Sequence, residues 1–240
     1  LPCAQPALRV RVIHKKLLTL PMRIVFMFAL CLLVGCTTRY DAATTDTGAT
    51  AATYTVVAAE STRGNISTVD FQNGDIVFRK GVGAKTRAII YADTGGIYSH
   101  TGIVVSTPDG FKIIHITPGE RKKGETVDRI RIENIEDFFS KNRAGHGAVY
   151  RLSANKSTAH TAAKHALRLL RNDILFDHNY KLDDTTTMYC TEFVYYVYKL
   201  SGKDITFGKR TTVNAPMYSG IYIFPSDIYE NKELELIYKF

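Results

Sequence analysis

Cysteine is scarce in this chain, and acidic charge is missing from its first 35 residues. Each shortage excludes something. Three of the four cysteines, Cys3, Cys31 and Cys36, fall within the first 36 residues, which leaves Cys190 alone in everything that follows. A disulfide framework is therefore excluded there. No basic block stands anywhere, and no basic stripe is interleaved with aromatics, so nucleic-acid binding is excluded as a function class. There is no internal repeat. The stretch "GVGAKT" (Gly81 to Thr86) lacks the glycine spacing of a phosphate loop. "DILFDHNYKLDD" is acidic but lacks the central glycine of a calcium loop, and no histidine pair stands at the spacing of a zinc helix. No metal and no cofactor are expected.

The first 35 residues carry Arg9, Arg11, Lys15, Lys16 and Arg23 and no Asp or Glu, and an apolar run from Ile24 to Val34 follows. That run is too short to span a bilayer as a stable helix. Charge, a short apolar middle and small residues at the end read instead as a secretory signal, with Met22 as the start and residues 1–21 as upstream sequence. The segment closes on "LVGC", Leu33 to Cys36. It resembles the bacterial lipoprotein signal, which implies cleavage before Cys36 and acylation of that cysteine. The expected organisation is a signal at 1–35, an anchored tether at 36–68 and one domain at 69–240. Without the signal the balance is 26 basic against 23 acidic residues, or +3, so most of the formal +8 belongs to the leader. The tether is rich in Thr, Ala, Ser and Gly, cannot bury enough surface to order itself, and as a flexible coil would reach ~30 Å.

An α+β pattern fills the domain. "NGDIVF" predicts a turn and a strand, "AKTRAIIYAD" a short helix, and two β-branched runs around Pro108-Asp109-Gly110 a hairpin. "IENIEDFFSKN" reads as a helix with Ile132, Ile135 and Phe139 on one face, and "GAVYRL" as a strand. "STAHTAAKHALRLLRN" is the clearest helix, capped by Ser157 or Thr158, with Ala159, Ala162, Ala163, Ala166, Leu167 and Leu170 inward and His160 and His165 toward solvent. A last helix spans Cys190 to Leu200. "GIYIF" and "ELELIYKF" supply further strands, without regular βαβ alternation.

A free thiol in an exported chain is either buried or used. Cys190 stands where the last helix begins. Thr185 to Thr187 resist helix formation ahead of it, and Phe193, Val194, Val197 and Leu200 continue its apolar stripe, turning the thiol toward the sheet. A helix N-terminus stabilises a thiolate, and the Cys190 N–H can serve an oxyanion. A general base must come from the sheet. With a four-residue loop, Thr107 to Gly110, the hairpin register sets Ser106 opposite Phe111 and Gly102 opposite His115. His100 then lies diagonally from His115 on the same face, within reach of a ring. A one-residue slip would separate the two rings.

The order His100, His115, Cys190, with "GDIVF" upstream, "SHTGIVV", "FDHNYKLDD" and "YCTEFVYYVY", resembles the circularly permuted papain-like amidases of the YaeF/YiiX type. These are relatives of the NlpC-type cell-wall peptidases and of the lecithin:retinol acyltransferase group. The resemblance covers about residues 70 to 230. It implies a permuted papain-like (NlpC-type) fold, a small antiparallel sheet packed on helices with the cysteine at a helix N-terminus. It also implies Cys190 as nucleophile, His100 as base and His115 as the residue that orients it, with Glu120 an alternative third member. Glu192 and Tyr189 are candidates for the pocket, though a first-turn carboxylate is also what the helix dipole favours.

Three functions follow as expectations. The first is an exported, lipid-anchored cysteine hydrolase that cleaves an amide, in cell-wall peptides, through an acyl-enzyme and without a cofactor. The second keeps the chemistry with a lipid amide or ester as substrate, as a hydrolase or acyltransferase. The third is a non-catalytic envelope lipoprotein. Thr37 after the acylated cysteine points to the periplasmic face of the outer membrane.

Overall fold

The structure is a computed structural model and describes residues 65–182, 184–215 and 219–240. The signal segment, Cys36 and all of the tether except its last four residues lie outside the described residues. In chain order the elements are β1 (Ile76–Lys80), α1 (Ala84–Ala92), β2 (His100–Thr107), β3 (Gly110–Ile116), β4 (Ile130–Asn134), α2 (Ile135–Phe138) and β5 (His146–Arg151). Then come α3 (Lys156–Arg171), β6 (Leu175–Phe176), β7 (Thr187–Met188), α4 (Cys190–Leu200), β8 (Thr211–Val213), β9 (Gly220–Tyr222), α5 (Pro225–Tyr229) and β10 (Glu235–Lys239).

Six strands form one antiparallel sheet in the order β10-β5-β1-β2-β3-β4. Both faces are covered, which is why β1 reads as an unbroken apolar run: Ile76, Val77 and Phe78 are all fully buried. On one face Ile76, Phe78, Ile103, Val105, Ile114 and Ile116 pack against Ala162, Ala163 and Ala166 of α3 and Phe193, Val194 and Val197 of α4. On the other, Val77, Val104, Ile113 and Val149 pack against Ile135, Phe138 and Phe139. The alanine stripe lets α3 approach closely, and α4 fills the remaining space with larger side chains.

Two local expectations are corrected. The cap of α3 is Asn155, whose side-chain oxygen accepts the Thr158 N–H at 3.1 Å, in place of Ser157 or Thr158. The stretch around Ile132 is not helical: β4 runs through Asn134, pairing Ile132 with Ile114, and only Ile135–Phe138 turns as helix. Pairing with Lys112 to Ile116 of β3 satisfies more backbone groups than one extra helical turn would, and the sheet takes the segment.

Candidate active site

The hairpin has the register expected from its sequence. Gly102 faces His115 and Ser106 faces Phe111, and the Thr107–Gly110 pair shortens the loop to Pro108 and Asp109. Gly102 leaves little room at its place: a Cβ there would stand 2.7 Å from Ile113 Cγ2 and 3.1 Å from His115 Cβ. The close approach brings the rings together, with His100 Nε2 2.9 Å from His115 Nδ1. Both lie against Phe138 of α2, at 5.6 and 5.3 Å between centroids. His115 is fully buried and His100 is 6% exposed. Burial, reinforced by the Arg79 charge and by His115, holds His100 well below 6.5. Burial also lowers His115, against the pull of Glu133. Both rings are therefore neutral at pH 7.

Cys190 begins α4, as the sequence predicts, because Tyr189 is extended (φ −100°, ψ 171°) and β7 ends just before it. Glu192, in the first turn, accepts the Tyr189 N–H at 3.3 Å and thus caps the helix. The Tyr189 hydroxyl accepts the Ile223 N–H at 2.9 Å, and the Thr191 hydroxyl donates to the Ile223 carbonyl. The residues on both sides of Cys190 are thus stitched to one buried segment. These contacts give Tyr189 and Glu192 work in the helix cap.

Cys190 is half-buried, and its thiol meets the sheet at the start of β2, where the N–H of Thr101, the residue after His100, points to it. Burial pushes the thiol up to about 11, while the N–H groups of Thr101, Thr191 and Cys190 itself, and the Arg79 charge, act to lower it. At rest the pair is a thiol and an imidazole. Among the described residues no hydrogen bond joins Cys190 to His100. The thiol sits on the helix-bearing face of the sheet, against the Thr101 N–H, and the two imidazoles lie on the α2 face against Phe138.

Glu133, absent from the sequence expectations, completes the cluster. Its Oε1 lies 2.9 Å from His115 Nε2, and neither atom is aligned for a hydrogen bond with the other or with a third group. Arg143 donates to Glu133 Oε2 at 2.6 Å and to Glu120 Oε2 at 2.7 Å. Arg79 bonds the other Glu120 oxygen, donates to the Phe138 carbonyl at 2.8 Å and stacks 4.5 Å over the Phe138 ring. Burial acts to raise the Glu133 carboxyl, but His115 and Arg143 outweigh it and hold it at about 2. The strand reading "IRIEN" carried the available signal: alternation puts Arg131 and Glu133 on one face, and the register sets Arg131 opposite His115.

His115, Glu120 and Glu133 bring three ligand atoms within 4.8 Å of one another. Both Glu120 oxygens and one Glu133 oxygen already face guanidinium groups, so two arginines neutralise the two carboxylates. A divalent cation would have to displace or adjoin those charges, and the donor set does not fit one.

A family model described as permuted papain-like amidase enzyme, YaeF/YiiX, C92 family, matches residues 70–238. Among solved structures, one described as metalloprotein yiiX from Escherichia coli O157:H7 aligns with a TM-score of 0.57 at 19% identity, covering 70% of this chain and 97% of that one. No curated protein matches.

Proposed function

The chain belongs to the permuted papain-like amidases of the YaeF/YiiX type, a family of cysteine amidases and peptidases, and we propose that it is an exported, lipid-anchored hydrolase cleaving an amide of cell-wall peptides. In this reading Cys190 Sγ attacks the carbonyl carbon while His100 Nδ1 takes the thiol proton. The oxyanion is met by backbone N–H groups at the start of α4, and the proton passes from His100 to the leaving amine. Water then cleaves the thioester of the acyl-enzyme with His100 again as base. His115 holds the ring in place from the other side.

One observation carries this reading. His100 is bound through Nε2 to His115 at 2.9 Å, and among the described residues its Nδ1 makes no hydrogen bond, while the thiol of Cys190 meets β2 at the next residue, Thr101. The neutral resting pair calls for proton transfer during attack, not a preformed thiolate. The solved relative is described as a metalloprotein; the present reading uses no cation, since two arginines occupy the carboxylates beside His115. An aromatic groove for a lipid chain would draw on the tyrosines in and beside α4; Tyr198 and the capping Tyr189 are buried with hydroxyls engaged by the Gly74 carbonyl and the Ile223 N–H, and Tyr195 and Tyr196 are half-buried.

Purified protein and Cys190→Ala, incubated with cell-wall fragments and separately with phospholipid vesicles, distinguish the substrate classes by mass analysis. The expected result is amide cleavage of wall peptides by the native chain alone. Cleavage of lipid only would replace the wall-peptide reading, and no turnover of either would favour a non-catalytic lipoprotein. Metabolic labelling with a fatty acid, lost in Cys36→Ser, tests the anchor.

A further inference from the structure

We propose that Glu133 is a positioning residue that sets the tautomers of both imidazoles, so that His100 offers an unprotonated Nδ1 to the thiol. The proposal rests on the reading of His100 as base. Two neutral imidazoles joined Nε2 to Nδ1 share a single hydrogen between them, and only two arrangements are possible. In the first, His115 carries its proton on Nε2, its Nδ1 accepts from His100 Nε2–H, and His100 Nδ1 is a bare lone pair. In the second, His115 Nδ1–H donates to His100 Nε2, which forces the remaining His100 proton onto Nδ1. A protonated Nδ1 cannot accept a proton from the thiol.

The group facing His115 Nε2 decides between them. Glu133 Oε1 stands 2.9 Å away. In the first arrangement an N–H meets a carboxylate; in the second a nitrogen lone pair meets it, in a site where His115 is fully buried and the repulsion is little screened. The contact is off-line for a hydrogen bond. The sign of the preference does not depend on that alignment, because the charge facing His115 Nε2 is negative in either case.

The carboxylate is held ready for this. β4 places Glu133 opposite Ile113, on the same face as His115, and Arg143 fixes Oε2 at 2.6 Å so that Oε1 turns to the imidazole. Arg79 stands 3.9 Å from Oε1, too far to take it over. Glu120 bridges the two arginines and Glu133 supplies the second negative charge through Oε2, which leaves Oε1 to face His115.

The amide isostere makes a sharp test. In Glu133→Gln the arginine still demands an oxygen, so the side-chain NH2 turns to His115 and donates to Nε2. The proton of His115 then moves to Nδ1 and that of His100 to its own Nδ1. Nitrogen-15 histidine spectra of the chelator-treated protein report the tautomers directly, with His100→Ala and His115→Ala giving the assignments. The native protein is expected to show both protons on Nε2, and Glu133→Gln to show both on Nδ1. Iodoacetamide labelling of Cys190 at pH 7.5 should fall by roughly a hundredfold or more in Glu133→Gln, the order that a positioned general base contributes.

A native His115 with bare Nε2 overturns the proposal, whether or not the variant folds. An unchanged tautomer pair in a folded Glu133→Gln overturns it too. If instead the native tautomers are as stated but His100→Ala leaves labelling unaltered, the hydrolase reading fails and the tautomer relay stands.

Discussion

His100 and Cys190 rest uncharged for the same reason: burial penalises the imidazolium and the thiolate alike. Under the proposed function, reactivity then comes from proton transfer between them during attack. Around this pair the side chains divide by what they touch. Tyr189 supports the helix tip through its hydroxyl, which accepts the Ile223 N–H at 2.9 Å. Tyr189→Phe is expected to lose about 1–3 kcal/mol in urea unfolding by leaving that buried N–H unpaired. The pH profile of Cys190 labelling should stay as it is. A changed profile with unchanged stability would move Tyr189 into the reaction itself.

At the scale of elements, the hairpin and α4 were legible and β4 was not. The apolar runs around Pro108-Asp109-Gly110 fixed a register, and period-2 alternation then put both histidines on one face. Cys190 as the first residue of α4 followed from threonines before it and an apolar helical stripe after it. "IENIEDFF" misled because its apolar residues suit either period over so short a span. The pairing with β3 that made it a strand is a tertiary choice. Glu133 was hidden by the same ambiguity, since a helical reading gives it no relation to His115. Gly102 ties the hairpin to the site: Gly102→Ala would press on Ile113 and His115. Unfolding free energy should drop by about 1–3 kcal/mol, with slower Cys190 labelling as His115 shifts. Unaltered stability would mean that the strands separate at no cost.

Over the whole molecule, two neutral histidines buried between the sheet and α2 make stability depend on acid. Both have folded-state values below 6.5, and the unfolded chain binds their protons from about pH 6.5 downward. Stability should therefore fall as pH drops below 6.5. Glu133, held at about 2, contributes stability that is complete above about 4.5 and lost only further toward 2, outside that window. Urea midpoints measured from pH 7.5 to 5 should decline, and a flat series would contradict the neutral burial of the pair. The fold also places the Cys190 thiol against the N–H of Thr101, the residue after His100, and the proposed pairing of thiol and imidazole is tested by one measurement: the rate of iodoacetamide labelling of Cys190 against pH, in the native chain and in His100→Ala. The native rate should rise as His100 loses its proton below pH 6.5 and then hold a plateau through neutrality, whereas His100→Ala should lack the plateau and climb only toward the thiol's own value of about 11. Two superimposed profiles, both climbing with thiol ionisation alone, would contradict the assignment of Cys190 and His100 as nucleophile and base.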